Sequence, residues 1–195
     1  MPMEFEAFPK IPRLNRGMVI TEKIDGTNAC VAFSDDGSEM LAQSRKREIT
    51  PDADNAGFAR WCYENRESLW SDLGPGRHFG EWWGQKIQRG YGLDHKRFSL
   101  FNTSRWYQNL GEGGSGGRIV RSFETPNLGV VPLLHEGPFD HQRIDEWVTK
   151  LADEGSLLPG AEGYSAEGVV VFLPAASQLF KVMCRNDDVP KGVLV

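Results

Sequence analysis

Alternating apolar and polar positions predict that this chain is built mainly from short β-strands. Residues 18–23, 29–34 and 39–44 have the period and β-branched content of strands, and Asp25-Gly26 and Asp36-Gly37 supply turns between them. This spacing predicts an antiparallel meander. Five further strands are predicted at residues 77–83, 98–103, 128–134, 166–173 and 178–183, the last two as a hairpin.

Two segments show the period of an amphipathic helix instead. In the first, capping side chains at 52–55 precede apolar positions 58, 61, 62 and 69. In the second, Asp140 can cap a helix with apolar positions 144, 147, 148 and 151 on one face, and Gly155 ends it. Together these patterns predict an α+β fold of mainly antiparallel sheets with flanking helices.

Composition narrows the class of protein. A length of 195 residues predicts one domain, and a net charge of −5 argues against binding nucleic acid through the whole surface. Three distant cysteines without a CxxC pair indicate small buried side chains rather than a disulfide framework or a zinc site. The glycine-rich segment 111–117 predicts a mobile surface loop. Neither a signal peptide nor a membrane-length apolar run is found, so we expect a cytoplasmic protein without membrane contact.

The segment 22–28, Glu-Lys-Ile-Asp-Gly-Thr-Asn, is the first candidate for chemistry. It places an amine, Lys23, at a strand end beside a carboxylate, and the glycine allows close approach to the backbone. Taken by itself the segment is explained equally well as a hairpin turn.

Charged residues inside apolar strands change that balance. Glu81 lies among aromatic residues, Glu167 begins a run of valines, and Lys181 is embedded in Leu-Phe-Lys-Val-Met. Each could be half of a structural ion pair, because buried charges need partners or ligands. Their concentration in one small domain favours a functional site.

In these residues and their order, the chain resembles the covalent nucleotidyltransferases, the superfamily of ATP-dependent DNA ligases, RNA ligases and mRNA capping enzymes. The form of the first motif is most similar to RNA ligases of the RNA ligase 2 type, of a minimal phage or bacterial kind. The matching segments follow the family order: EKIDGTN (22–28), SRKR (44–47), FGEWWG (79–84), RFSLFN (97–102), AEGVVVF (166–172) and LFKVM (179–183).

The resemblance implies a single adenylyltransferase domain over 1–195, without an appended C-terminal domain, using ATP and Mg²⁺ or Mn²⁺. Lys23 would attack the α-phosphorus of ATP and carry AMP as a lysyl-AMP, for which it must first lose its proton. Lys181 would contact the α-phosphate. Glu167 would bind the metal through water. AMP would then pass to a 5′-phosphate, and a 3′-hydroxyl would displace it.

The remaining nucleotide contacts are also implied by the resemblance. Arg45 and Glu81 would hold the ribose hydroxyls, and Glu22 would read the adenine edge. Phe101 would stack on adenine, with Phe98 as the alternative. Asn28 also matches the family, without a settled role. Asp25 matches too and could serve metal water or ribose.

Two positions depart from the family pattern. Met183 stands where a second lysine is usual, so either Arg185 or Lys191 substitutes for it, or adenylylation is slower or differently organised. Asn102 stands where an aspartate is usual, and we expect this change to affect local hydrogen bonding only.

RNA, including a nicked RNA/DNA duplex, is the expected partner. Basic segments 44–47 and 86–97 offer phosphate contacts, although a solvated charged face explains the second equally well. Two alternatives stay open. One is a capping-type guanylyltransferase that uses GTP, and the other is a catalytically inactive nucleotide-binding or RNA-binding module.

Overall fold

The computed structural model describes residues 3–14, 16–109 and 118–185, so the predicted loop at 111–117 and Lys191 lie outside the described residues. The strands are Gly17–Lys23 (β1), Thr27–Phe33 (β2), Met40–Ser44 (β3), Glu48–Ile49 (β4), Gly76–Gly84 (β5), Lys96–Leu100 (β6), Tyr107–Asn109 (β7), Arg118–Val120 (β8), Leu128–Val130 (β9), Leu133–Pro138 (β10), Gly168–Leu173 (β11) and Gln178–Met183 (β12). The helices are Phe58–Glu64 (α1), Arg66–Leu73 (α2), Thr103–Trp106 (α3) and His141–Glu154 (α4), with a 3₁₀ turn at Gly90–Gly92.

Two sheets form the body of the fold. One has four strands in the order β10-β1-β11-β12, and the other has six in the order β4-β3-β2-β5-β6-β9. Every pairing is antiparallel except that of β6 with β9. The ribbon β7-β8 forms a separate two-stranded sheet. The expected α+β class with mainly antiparallel sheets is confirmed.

The predicted meander is wrong in its first turn. β1 pairs with β10 and β11, whereas β2 pairs with β3 and β5, so Asp25-Gly26 connects the two sheets instead of closing a hairpin. Gly26 is needed for a different reason, because a Cβ there would lie 2.5 Å from the carbonyl oxygen of Trp82. The second turn is confirmed, since Asp36-Gly37 joins the paired strands β2 and β3.

Residues 128–134 are not one strand. β9 runs parallel to β6 in the six-stranded sheet, and β10 pairs with β1 in the four-stranded sheet. Val131 and Pro132 make the passage between the two sheets. Proline has no backbone N–H to donate, which suits a break between two ladders.

Two other predicted elements are shorter than expected. The strand predicted at 98–103 ends at Leu100, and Asn102 caps α3 by accepting the backbone N–H of Arg105 at 3.1 Å. This confirms a local hydrogen-bonding role for Asn102. The first predicted helix is divided into α1 and α2 at Asn65, whose side chain donates to the carbonyl of Trp61 at 2.8 Å.

The second helix and the final hairpin are confirmed. Asp140 accepts the backbone N–H of Gln142 at 2.9 Å, and α4 ends before Gly155. β11 and β12 pair antiparallel over their whole length.

Three apolar clusters hold the elements together. The first lies between the six-stranded sheet and α1 and α2, and the second lies between the four-stranded sheet and α4. The third fills the junction of the two sheets and consists of Ile24, Trp83, Tyr91, Val131, Leu158 and Ala161. Because Ile24 follows Lys23, this third cluster fixes where the end of β1 meets β5.

Of the three cysteines, Cys30 and Cys62 are buried as expected, while Cys184 is half-buried. Among the described residues, no helix has the length and apolar character that crossing a bilayer requires.

Candidate active site

Lys23 and Glu167 form an ion pair at the junction of the two sheets. Lys23 is the last residue of β1, directly opposite Gly168 on β11. Its Nζ lies 2.6 Å from Oε2 of Glu167, and the two side chains are 23% and 9% exposed. The structure therefore brings together the predicted nucleophile and the predicted metal-binding carboxylate.

Lys181 projects from the same face of the four-stranded sheet as Lys23. On β12, Lys181 is opposite Val170, which is in turn opposite Thr21 on β1. Thr21 lies two residues before Lys23, and alternate residues of a strand share a face. The side chain of Lys181 is exposed on this face. The geometry leaves its amine available to a ligand beside Lys23.

Glu81 contributes a second carboxylate from the six-stranded sheet. It is 7% exposed and accepts a hydrogen bond from Nδ2 of Asn28 at 2.8 Å. Burial raises the pKa of Glu81 to about 7, and the charge of Lys23 partly opposes that shift. Glu81 and Asn28 are cross-strand partners on β5 and β2, so the two predicted nucleotide-binding residues act as one unit.

Glu22 lies on the opposite face of β1 from Lys23, in a row with Val169 and Val182 of the second cluster. Its buried carboxylate accepts hydrogen bonds from Oγ of Ser156 at 2.6 Å and from the backbone N–H of Leu157 at 2.9 Å. Burial raises the pKa of Glu22, and these hydrogen bonds oppose the rise. The structure does not bring Glu22 together with Lys23, and adenine reading by Glu22 stays a prediction.

Asp25 is paired with Arg89, whose Nε lies 2.8 Å from Oδ2 of Asp25. Arg89 also donates to Ser165 and Ala166, immediately before Glu167. Sequence reasoning placed Arg89 among candidate RNA contacts and missed this role. No local pattern could have revealed the role, since Asp25 and Arg89 are 64 residues apart.

The two candidates for stacking on adenine, Phe98 and Phe101, differ in how exposed their rings are. Phe98 is fully buried in the first cluster, whereas Phe101 is 42% exposed. Phe79 is 55% exposed and lies beside Phe101, whose backbone N–H donates to the carbonyl of Phe79 at 3.0 Å. Phe79 lies two residues before Glu81 on β5, so both side chains are on one face of the sheet. Sequence reasoning missed Phe79 as a candidate for stacking, although this spacing from Glu81 could have indicated it.

A cavity of about 240 Å³ adjoins Glu167. Its lining includes Arg89, Met183 and Arg185. Met183 is directly opposite Gly168 on the neighbouring strand, in the same row as Lys23. Arg185 therefore supplies positive charge near the position where the usual second lysine is replaced.

The predicted basic segments differ in how free their side chains are. In the first, Arg45 and Lys46 are exposed, while Arg47 donates to the carbonyls of residues 48, 53 and 54. In the second, Lys96 donates to the carbonyl of Ala56 and Arg97 to that of Pro159, both at 2.8 Å. Three of the side chains expected to contact RNA phosphates therefore donate hydrogen bonds to backbone carbonyls of the protein instead.

The donor set suits Mg²⁺ or Mn²⁺ held jointly with phosphates. No cluster of three or more metal-ligating side chains occurs among the described residues. Mg²⁺ usually needs only one or two carboxylates together with substrate phosphates and water. Glu167 and Glu81 meet that requirement, since both approach Lys23 closely enough for their charges to interact.

Two mainly antiparallel sheets that meet at the Lys23–Glu167 pair are consistent with the adenylyltransferase-type core expected from the motifs. A family profile for RNA ligase matches residues 16–183. The chain therefore belongs to the RNA ligase family. No curated protein matches it.

The fold is similar to that of Naegleria gruberi RNA ligase. A mutant of that enzyme with ATP and Mn has a TM-score of 0.59 at 19% identity, covering 88% of this chain and 51% of the other. An apo mutant gives 0.57 at 21% identity, with coverage of 87% and 50%. A third mutant, with AMP and Mn, gives 0.58 at 20% identity, with coverage of 87% and 50%. The chain spans about half the length of these structures, and the likeness establishes the fold.

Proposed function

We propose that this chain is the nucleotidyltransferase core of an ATP-dependent RNA ligase that works through a lysyl-AMP. The observation that carries the proposal is the Lys23–Glu167 pair at 2.6 Å, with Lys181 on the same sheet face and Glu81 on the facing sheet. An isolated structural ion pair would not need the additional buried carboxylate and the additional lysine.

In the first step, the neutral amine of Lys23 attacks the α-phosphorus of ATP. A nitrogen–phosphorus bond forms, the bond from the α-phosphorus to the bridging oxygen breaks, and pyrophosphate leaves. The amine must lose a proton, and Glu167 at 2.6 Å is placed to accept it or pass it to water. Drawing Glu167 away from the lysine would also remove the charge that stabilises the ammonium form.

Glu167 and Glu81 are the residues that would hold Mg²⁺ or Mn²⁺. A bound divalent cation supplies positive charge that neutralises the phosphates as pyrophosphate departs. Lys181 adds a fixed positive charge on the same side, from the row next to Lys23.

The nucleoside would lie along the face of the six-stranded sheet that bears Glu81. Glu81, fixed by Asn28, would accept a ribose hydroxyl, and Arg45 would approach from the end of β3. Phe101 would stack on adenine, since Phe98 is buried. For adenine to be read by Glu22, it would have to share this carboxylate with Ser156 and Leu157, which donate to it.

In the later steps, a 5′-phosphate of RNA attacks the AMP phosphorus and releases Lys23. The 3′-hydroxyl of a second end then attacks the activated 5′-phosphate, forms a phosphodiester and releases AMP. Membership of the RNA ligase family supports RNA as the substrate.

Mass spectrometry after incubation with ATP and Mg²⁺ tests the proposal. Wild-type protein should gain the mass of one AMP on Lys23, and Lys23→Ala should gain none. An adduct with GTP only would establish the capping alternative. No adduct with either nucleotide, in wild type as in Lys23→Ala, would favour the inactive-module alternative. Sealing of a 5′-phosphorylated RNA end, at a nick and in single strands, then tests the later steps.

A further inference from the structure

The loop of residues 84–92, which joins β5 to the segment before β6, has an unusual backbone. Six of its residues have positive φ: Gly84, Lys86, Gln88, Gly90, Tyr91 and Gly92. Such conformations are costly for non-glycine residues and persist only where the surrounding structure holds them. Tyr91 has φ of 48° and is 1% exposed in the junction cluster. The 84–92 loop is therefore held firmly against the rest of the fold.

This loop is hydrogen-bonded to the turn that follows Lys23. Nε of Arg89 donates to the carboxylate of Asp25 at 2.8 Å, and the backbone N–H of Asp25 donates to the hydroxyl of Tyr91 at 2.9 Å. Both the side chain and the backbone of Asp25, two residues after Lys23, are thus fixed by the same loop.

Arg89 also donates hydrogen bonds to the segment that precedes Glu167. Its Nη1 lies 3.2 Å from the carbonyl of Ser165, 3.0 Å from Oγ of Ser165 and 3.2 Å from the carbonyl of Ala166. In the guanidinium, Nε contacts Asp25 and Nη1 contacts residues 165–166. Because the guanidinium is planar and rigid, it fixes the distance between the turn at Asp25 and the segment 165–166. A lysine has all its donors on one nitrogen at the end of a flexible stem, so it would not fix this separation.

We propose that Arg89 and Tyr91 are positioning residues that hold Lys23 against Glu167 for the attack on ATP. The inference rests on the proposed function. Neither residue needs to touch ATP, because Arg89 acts through Asp25 and residues 165–166, and Tyr91 acts through the backbone of Asp25. Their loss affects the rate at saturating ATP, since misplacement of reacting groups by ~1 Å can cost on the order of 100-fold.

The experiment compares Arg89→Gln and Tyr91→Phe with wild type and with Arg105→Gln. Tyr91→Phe keeps the ring, which packs edge-on against Trp83 at 5.3 Å between centroids, and loses only the hydroxyl. Arg105 is the matched control, because its Nη2 donates to the carbonyl of Leu73 at 2.6 Å without contacting the site. Single-turnover formation of the AMP adduct is measured against ATP concentration, together with the thermal midpoint of each variant.

We expect Arg89→Gln to lower the rate at saturating ATP by about 10- to 100-fold, and Tyr91→Phe by about threefold to tenfold. The ATP concentration for half-maximal rate should change by less than about threefold in both, because uniform binding is untouched. Arg105→Gln should keep the wild-type rate at a comparable thermal midpoint. Arg89→Lys should remain within about threefold of Arg89→Gln, since a flexible ammonium does not fix the separation of the two segments.

Wild-type rates in Arg89→Gln, a change confined to half-maximal ATP, or full recovery in Arg89→Lys would each overturn the inference. A rate loss in Arg105→Gln equal to that in Arg89→Gln would also overturn it, because stability alone would then explain the effect. Failure of the proposed function looks different, since wild-type protein itself would form no adduct.

Discussion

At the scale of single residues, the site is marked by two carboxylates, Glu81 and Glu167, that are buried from water. Glu81 is the clearest case, because burial outweighs the opposing charge of Lys23 and raises the pKa of its carboxyl to about 7. A carboxyl in this state changes charge near neutral pH. A divalent cation or a second ammonium group placed there would favour the ionised form.

Substitution of Glu81 by Gln should change how stability depends on pH. The ordinary pKa of this carboxyl is 4.5, so between pH 4.5 and about 7 the folded state keeps a proton that the unfolded state has lost. Glu81 therefore favours folding fully below pH 4.5, and that contribution is lost as pH rises through about 7. The loss is at most about 3 kcal/mol, at ~1.36 kcal/mol per pKa unit.

Urea unfolding in EDTA across this pH range measures the effect. The Glu81→Gln variant should lose less stability than wild type as pH rises, while Glu39→Gln, on the exposed β2–β3 hairpin, should follow wild type. Equal pH dependence in wild type and Glu81→Gln would contradict the assignment.

The charged residues of the site could be predicted from sequence because each stands out locally. A glutamate or lysine inside an apolar strand is visible without knowing the fold. Lys23 and Lys181 do share one sheet face, and Glu167 pairs with Lys23. Their partners could not be predicted. Glu22 is bound by Ser156, 134 residues away, and no period or motif connects the two.

At the scale of elements, the β11–β12 hairpin requires a glycine at its start. A Cβ on Gly168 would overlap the carbonyl oxygen of Val182, on a backbone with φ of 156°. Any side chain there would force β12, which carries Lys181, away from the start of β11, which directly follows Glu167.

Gly168→Ala should therefore destabilise the fold by about 1–3 kcal/mol through overpacking. Because the same overlap displaces Glu167 and Lys181, the variant should also form the AMP adduct at least about tenfold more slowly. Gly129→Ala on β9 is the matched control, since a Cβ there has no neighbour within 4 Å. Urea unfolding and adduct formation check both variants. A stable, active Gly168→Ala protein would show that the hairpin can open without cost.

Elements with a strong local period were predicted well, and so were the two hairpins, whereas the pairings between strands distant in sequence were not. α4 and the final hairpin begin and end close to where caps and turns place them. β1 and β2 look like neighbours in sequence, yet the third apolar cluster at the sheet junction separates them into different sheets. Residues 128–134 look like one strand, and long-range pairing with β6 and β1 divides them.

At the scale of the whole molecule, a net charge of −5 means that the proposed binding of RNA would depend on a few exposed cations. The fold removes several candidates, since Arg47, Arg89, Lys96 and Arg97 donate to acceptors within the protein. Lys46 and Lys86, one from each basic segment, are exposed and have no hydrogen-bond partner among the described residues. If RNA is the substrate, these two side chains are available for its phosphates.

The double substitution Lys46→Gln with Lys86→Gln should weaken binding of single-stranded 5′-phosphorylated RNA and reduce its salt dependence. Each phosphate contact contributes about 0.7 to the slope of log K against log salt, so the slope should fall by about 1.4. Fluorescence anisotropy over a series of KCl concentrations measures the slope. AMP-adduct formation without RNA should stay at the wild-type rate, because neither side chain belongs to the nucleotide site.

Lys150→Gln provides the control for a change of charge alone. Lys150 lies on α4 beside Glu154, at 3.9 Å, and α4 packs on the face of the four-stranded sheet opposite Lys23. Its removal should leave the slope unchanged. An equal fall in slope for Lys150→Gln would mean that RNA responds to total charge, and the two basic segments would then have no special part in binding.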